Sequence, residues 1–143
     1  MKRKQIVFAS LIATFMVGCT ARGPKTPREA AGEYMSRYRS GEVEVVILHP
    51  DLTYRQEFYR DLQSYQTNAT AAYTNAGTWS YKRSAMTFDR WLLFCDYPYV
   101  DKVLDNPKPS ASLPGHWEPA TAKWDAAIWF SEDPHYVFVR VKK

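Results

Sequence analysis

The sequence predicts an all-β domain, a single antiparallel meander of about seven to eight strands forming a small barrel or sandwich. Three observations predict it. Apolar residues recur with a period close to two wherever a period can be read, the apolar runs are short, and turn residues separate them at close intervals. Short strands joined by short turns pair with their neighbours in sequence, and that pairing is antiparallel. The domain runs over residues 29–143, long enough to bury one core without disulfide or metal staples.

Taken in order, Gly32 to Arg39 reads as a strand through Tyr34, Met35 and Tyr38, closed onto the next by Ser40-Gly41. In the second strand Val43, Val45 and Ile47 alternate with Glu42 and Glu44, and both faces then turn apolar at Val46 and Leu48. Pro50-Asp51 supplies a turn, because proline pre-sets φ at one corner, and Thr53 to Tyr59 continues as strand through Tyr54, Phe58 and Tyr59. From Asp61 to Tyr73 the alanines Ala69, Ala71 and Ala72 permit a helix, but Thr67, Asn68 and Thr70 favour a loose loop. Asn75-Ala76-Gly77 punctuates before two further strands, Thr78 to Tyr81 and Ala85 to Cys95. Residues 96–123 hold Pro98, Pro107, Pro109, Pro114 and Pro119, five of the nine prolines, and are expected to form a long Pro-rich loop. Strand resumes from Trp124 to Phe130, turns at Glu132-Asp133-Pro134, and ends with Tyr136 to Lys142. There Val137, Val139 and Val141 share one face, and Tyr136, Phe138 and Arg140 the other.

Ahead of the domain stands an export signal. Lys2, Arg3 and Lys4 precede an apolar stretch from Ile6 to Val17. A dozen helical residues reach ~18 Å, short of the ~30 Å hydrocarbon core, so the segment suits a cleaved signal and not a membrane span. Met16-Val17-Gly18-Cys19 resembles a bacterial lipoprotein lipobox. The resemblance implies a signal peptide over residues 1–18 and a mature chain that starts at Cys19, with its thiol carrying diacylglycerol with acyl chains such as palmitate. Residues 19–28, with Gly23, Pro24 and Pro27, then act as a lipidated tether, since two or more chains hold a domain on a membrane where one does not. Thr20, where Asp would signal retention, implies the outer membrane in a two-membrane envelope.

Processing changes two readings of composition. Three of the nineteen Lys and Arg residues leave with the signal, so sixteen basic side chains face fifteen acidic ones. No basic patch remains to suggest nucleic acid. With Cys19 lipidated, Cys95 has no disulfide partner in its chain and reads as a small buried hydrophobe.

Gly32-Glu33-Tyr34, Asp51-Leu52-Thr53-Tyr54 and Gly77-Thr78-Trp79 resemble the G-x-Y, D-G-T-Y and G-T-W segments of small lipocalin-like domains in uncharacterised bacterial lipoproteins. The resemblance covers about Gly32 to Phe94. It implies a hairpin turn at Asp51-Leu52 and a tryptophan, Trp79, packed at one end of the meander. Leu52 stands where the family has glycine.

Chemistry is harder to place. His49, His116, His135, Asp89, Asp96, Asp101 and Glu118 include the residue types of hydrolysis, but no H-E-x-x-H or G-x-S-x-G motif orders them, and the expectation is no enzyme. His116 and His135 are too few and too open in spacing for a zinc site, so no metal or cofactor is expected. Aromatic residues make up 15% of the chain, and Tyr54, Trp79, Tyr81, Trp91 and Trp129 are the candidates for a ligand-lining or core-facing set. Tyr136 and Phe138 are candidates for an exposed patch meeting another envelope protein, as are exposed strand edges. The expected role is therefore a membrane-anchored, non-catalytic interaction or accessory module, with a lipocalin-like binder of a small apolar ligand as the alternative. A cavity bounded by Trp79, Trp91 and Trp129 favours the binder, and a filled core favours the interaction module.

Overall fold

The computed structural model describes residues 24–96, 99–119, 126–132 and 135–141. Residues 1–23, on which the expected signal peptide, Cys19 and the start of the expected tether fall, lie outside them. Eight strands run antiparallel in sequence order and close into a barrel: β1 (Gly32–Arg37), β2 (Val43–Leu48), β3 (Thr53–Tyr59), β4 (Tyr73–Lys82), β5 (Ala85–Asp96), β6 (Tyr99–Pro119), β7 (Ala126–Glu132) and β8 (His135–Arg140). The expected all-β meander is thus the fold, with β8 returning to β1 through Tyr34 opposite Arg140 and Met35 opposite Val139.

Two short helices add to it. In α1 (Pro27–Ala30) the Thr26 hydroxyl caps the first turn by accepting from the Glu29 N–H. The helix closes one end of the barrel, where Tyr34 Oη donates to the Ala30 carbonyl at 2.7 Å. In α2 (Leu62–Gln66) Asp61 is the N-cap, its carboxylate accepting from the Ser64 N–H at 2.7 Å.

Helix α2 decides how the strand faces are read. Alternation on β2 leaves its inner face open, and Glu44, Val46 and Leu48 point into the barrel. Val43 and Val45 lie on its outer face, buried with Tyr59 beneath Leu62 and Tyr65 of α2. A strand covered on both sides carries apolar residues at both parities, and alternation alone no longer tells inside from outside. On β8 the expected facing is inverted: Tyr136 and Phe138 are fully buried in the core and form no exposed patch, while Val139 is 39% exposed.

Residues 99–119, expected as part of a loop, form the 21-residue strand β6. It pairs with β5 along most of its length and, among the described residues, with β7 from His116 to Pro119. Pro107, Pro109 and Pro114 therefore lie in the part of the strand that is paired along one edge, against β5.

Leu52 occupies the left-handed region, φ 68°. Its N–H donates to the His49 carbonyl at 3.1 Å, while Asp51 Oδ1 accepts from both the N–H and the hydroxyl of Thr53. The turn needs a left-handed conformation that glycine adopts without steric cost, and a leucine there costs on the order of 1 kcal/mol. Leu52→Gly is expected to raise stability by about 0.5–1 kcal/mol, the relieved strain being larger than glycine's added chain entropy. Urea unfolding checks this, and a loss of stability would mean that the half-exposed leucine side chain matters more than the strain.

Candidate functional site

The barrel interior is built from rings. Trp91 is fully buried, with ring centroids of Phe88 at 4.9 Å, Phe130 at 5.1 Å, Tyr54 at 5.5 Å and Phe138 at 5.8 Å. Phe58 stacks on Phe94 at 4.5 Å further along. Van der Waals contact at these separations leaves little room between rings.

Of the five aromatic candidates, Tyr54 and Trp91 meet in this core. Trp79 is buried in the same core and covers the 49–53 turn, its indole N–H donating to the His49 carbonyl at 3.2 Å, and its ring lies 6.4 Å from that of Tyr81. Tyr81 is half-buried and donates to the Pro24 carbonyl at 2.6 Å. Trp129 is half-buried on β7, in register with His116 on β6 and Val137 on β8. The glycine of the Gly77-Thr78-Trp79 segment has a steric reason: a Cβ there would lie 2.4 Å from the Asp89 carbonyl oxygen and 2.7 Å from the Tyr54 ring.

Beside the rings lies a polar cluster that the sequence did not disclose. Glu44 is fully buried and accepts from Tyr38 Oη at 2.5 Å, Gln56 Nε2 at 2.6 Å and Tyr136 Oη at 2.9 Å, while Trp91 Nε1 donates to Tyr136 Oη at 3.2 Å. Burial pushes the Glu44 carboxyl up to about 7, against the lowering effect of its three hydrogen-bond donors. Burial first, then the neighbouring Glu44 charge, raises both the Tyr38 and Tyr136 phenols well above their ordinary value.

The cluster also anchors β5. Gln56 Nε2 donates to the Leu92 carbonyl and Gln56 Oε1 accepts from the Leu92 N–H, so one side-chain amide replaces a strand neighbour. Asn75 Nδ2 donates to the Arg90 carbonyl at 2.6 Å and Tyr54 Oη to the Asp89 carbonyl at 2.7 Å. These bonds serve the stretch of β5 beyond Phe88, where its ladder with β4 has ended and Arg90 takes a left-handed φ of 58°.

On the outside, a groove of about 540 Å³ lies between α2 and the β1–β8 seam. Met35, Leu62, Val137 and Val139 form its apolar lining, with Arg37 and Arg140 beside them. Arg140 donates to the Ala31 carbonyl at 2.6 Å and lies over the Tyr34 ring at 5.8 Å. A neighbouring groove of about 380 Å³ contains Glu33 and Glu57, each accepting a tyrosine hydroxyl, from Tyr65 and Tyr59 respectively.

The polar residues considered for hydrolysis occupy separate positions along the chain's strands and turns. His49 is exposed at the turn after β2, and Asp89 is exposed on β5 beside Arg90. His116 and Glu118 lie in β6 where it pairs β7, Asp101 near the start of β6, Asp96 at the end of β5, and His135 at the start of β8. Among the described residues no three of His, Cys, Asp and Glu are placed to hold a metal ion. Cys95 is a buried thiol on β5. Compared with protein-family models, with curated proteins and with solved structures, the chain matches none.

Proposed function

We propose that this protein is a lipid-anchored, non-catalytic interaction module of the bacterial cell envelope, held through Cys19 and engaging an envelope protein with the outer surface of its barrel. The observation that carries the reading is the division of the molecule into a ring-filled interior and an apolar, arginine-flanked groove outside. The lipobox-like Met16-Val17-Gly18-Cys19 and the tether after it support the anchor.

A closed antiparallel barrel of eight strands also suits a lipocalin-like binder of a small apolar molecule. The packing of Trp91 against four rings ranks that reading second.

Cys19→Ala is expected to move the domain from the membrane fraction to the soluble fraction with its circular dichroism and unfolding midpoint unchanged, because acyl chains supply the anchor and the barrel supplies the fold. Fractionation of cells expressing each form checks it. A variant that stayed with membranes would remove the lipid-anchor reading.

A further inference from the structure

We propose that the groove at the β1–β8 seam is a strand-addition site for an extended, acidic-residue-bearing segment of the partner protein. The inference rests on the interaction-module reading and adds to it the mode of recognition and the chemistry of the segment.

The argument starts from which way the backbone points. The Tyr38 N–H donates to the Glu42 carbonyl, so even-numbered residues of β1 direct their peptide groups towards β2. The Glu33 carbonyl accepts from the Val141 N–H, so odd-numbered residues face β8. In this register Glu33 faces Val141, Met35 faces Val139, and Arg37 should face Val137. The ladder stops at Met35 and Val139. The peptide groups of Arg37 and Val137 therefore point into a seam whose strands are no longer joined, and both residues line the groove.

Peptide groups left at a strand edge are the main-chain template for a further strand. The side chains around this one suit an extended peptide. Odd-numbered positions on both strands face outward, so Met35, Val137 and Val139 offer apolar contacts at the two-residue spacing of a strand, with Leu62 and Tyr65 of α2 as the far wall.

Charge decides the kind of strand. Arg37 is exposed and, among the described residues, makes no ion pair, while Arg140 is held by the carbonyls of Glu29 and Ala31 with no carboxylate on it. Two guanidinium groups flanking one groove favour a carboxylate in the incoming segment. They also disfavour a second copy of this chain, whose equivalent edge would bring Arg37 against Arg37.

The test is selection of a displayed library of random octapeptides against the full lipidated protein in detergent micelles, followed by affinity measurements on synthetic copies of the enriched peptides. The expected peptides alternate apolar residues and carry Asp or Glu. Their affinity should fall about tenfold on Arg37→Glu, recover when the acidic residue becomes Lys, and fall about tenfold again when alternate peptide amides are N-methylated. Arg37 is exposed, so unchanged circular dichroism of the variant shows that the loss is local. Enriched peptides indifferent to Arg37→Glu and to N-methylation would overturn strand addition while leaving an interaction module elsewhere on the barrel. No enrichment at all would count against both.

Discussion

Glu44→Gln is expected to flatten the pH dependence of stability and to make the protein more stable than the wild type at pH 8. The folded carboxyl titrates at about 7 because burial disfavours its charge, against an ordinary value of 4.5. Between those values the native state holds a proton that the unfolded chain has released, so stability falls as pH rises. The contribution is present in full below 4.5, declines through that window and is flat above about 7, a change on the order of 3 kcal/mol. Glutamine keeps the shape, can still accept from Gln56 and the tyrosines through its carbonyl, and has no proton to lose. Urea unfolding of both proteins at several pH values from 4.5 to 8 isolates the effect as the difference between them. Parallel profiles would mean that Glu44 keeps its charge throughout and that Tyr38, Gln56 and Tyr136 solvate it fully. Glu44→Ala answers a different question: it strands two phenols and an amide in the core, and a loss of about 3 kcal/mol or more is expected at pH 5.

Strand existence was legible in the chain because a period of two survives local noise, and seven of the eight strands begin or end near the expected turns. Facing was not. Val43, Val45 and Ile47 alternate with Glu42 and Glu44, and the outer cover of α2 that buries Val43 and Val45 is hidden in a segment rich in threonine and asparagine. The signal for the inner face was parity: Val46 and Leu48 continue the face of Glu44, and three residues of one parity ending in a leucine are hard to expose. Strand β6 was lost because prolines argue against a strand with two paired edges, and the sequence does not say that most of this one has a single paired edge. The polar cluster was invisible for a related reason. Tyr38 just after β1, Glu44 on β2 and Gln56 on β3 meet across consecutive parts of the meander, but Tyr136 reaches them only through barrel closure, 92 residues away from Glu44 in the chain. Trp79 and Gly77 were singled out in the sequence, but their partners were not: Trp79 covers the hairpin turn and Gly77 leaves room for the Tyr54 ring.

Trp91→Ala is expected to cost about 3–5 kcal/mol, since it removes the largest side chain of the core and leaves a hole that rigid neighbours cannot fill. The hole is bounded by Tyr54, Phe88, Phe130 and Phe138, with Tyr136 Oη left at one end to accept again from an indole N–H, so its shape and its polar end both suit an indole guest. Free indole therefore should restore part of the loss, about 1.4 kcal/mol at ten times its dissociation constant, and should leave the wild type unchanged because Trp91 already occupies the space. Thermal unfolding of both proteins with and without indole separates the two readings of the barrel. Rescue confined to the variant supports a filled interior, and with it recognition on the outer surface. Equal stabilisation of the wild type would mean that the barrel opens a pocket beside Trp91, and the small-ligand reading would then take precedence over the groove at the seam.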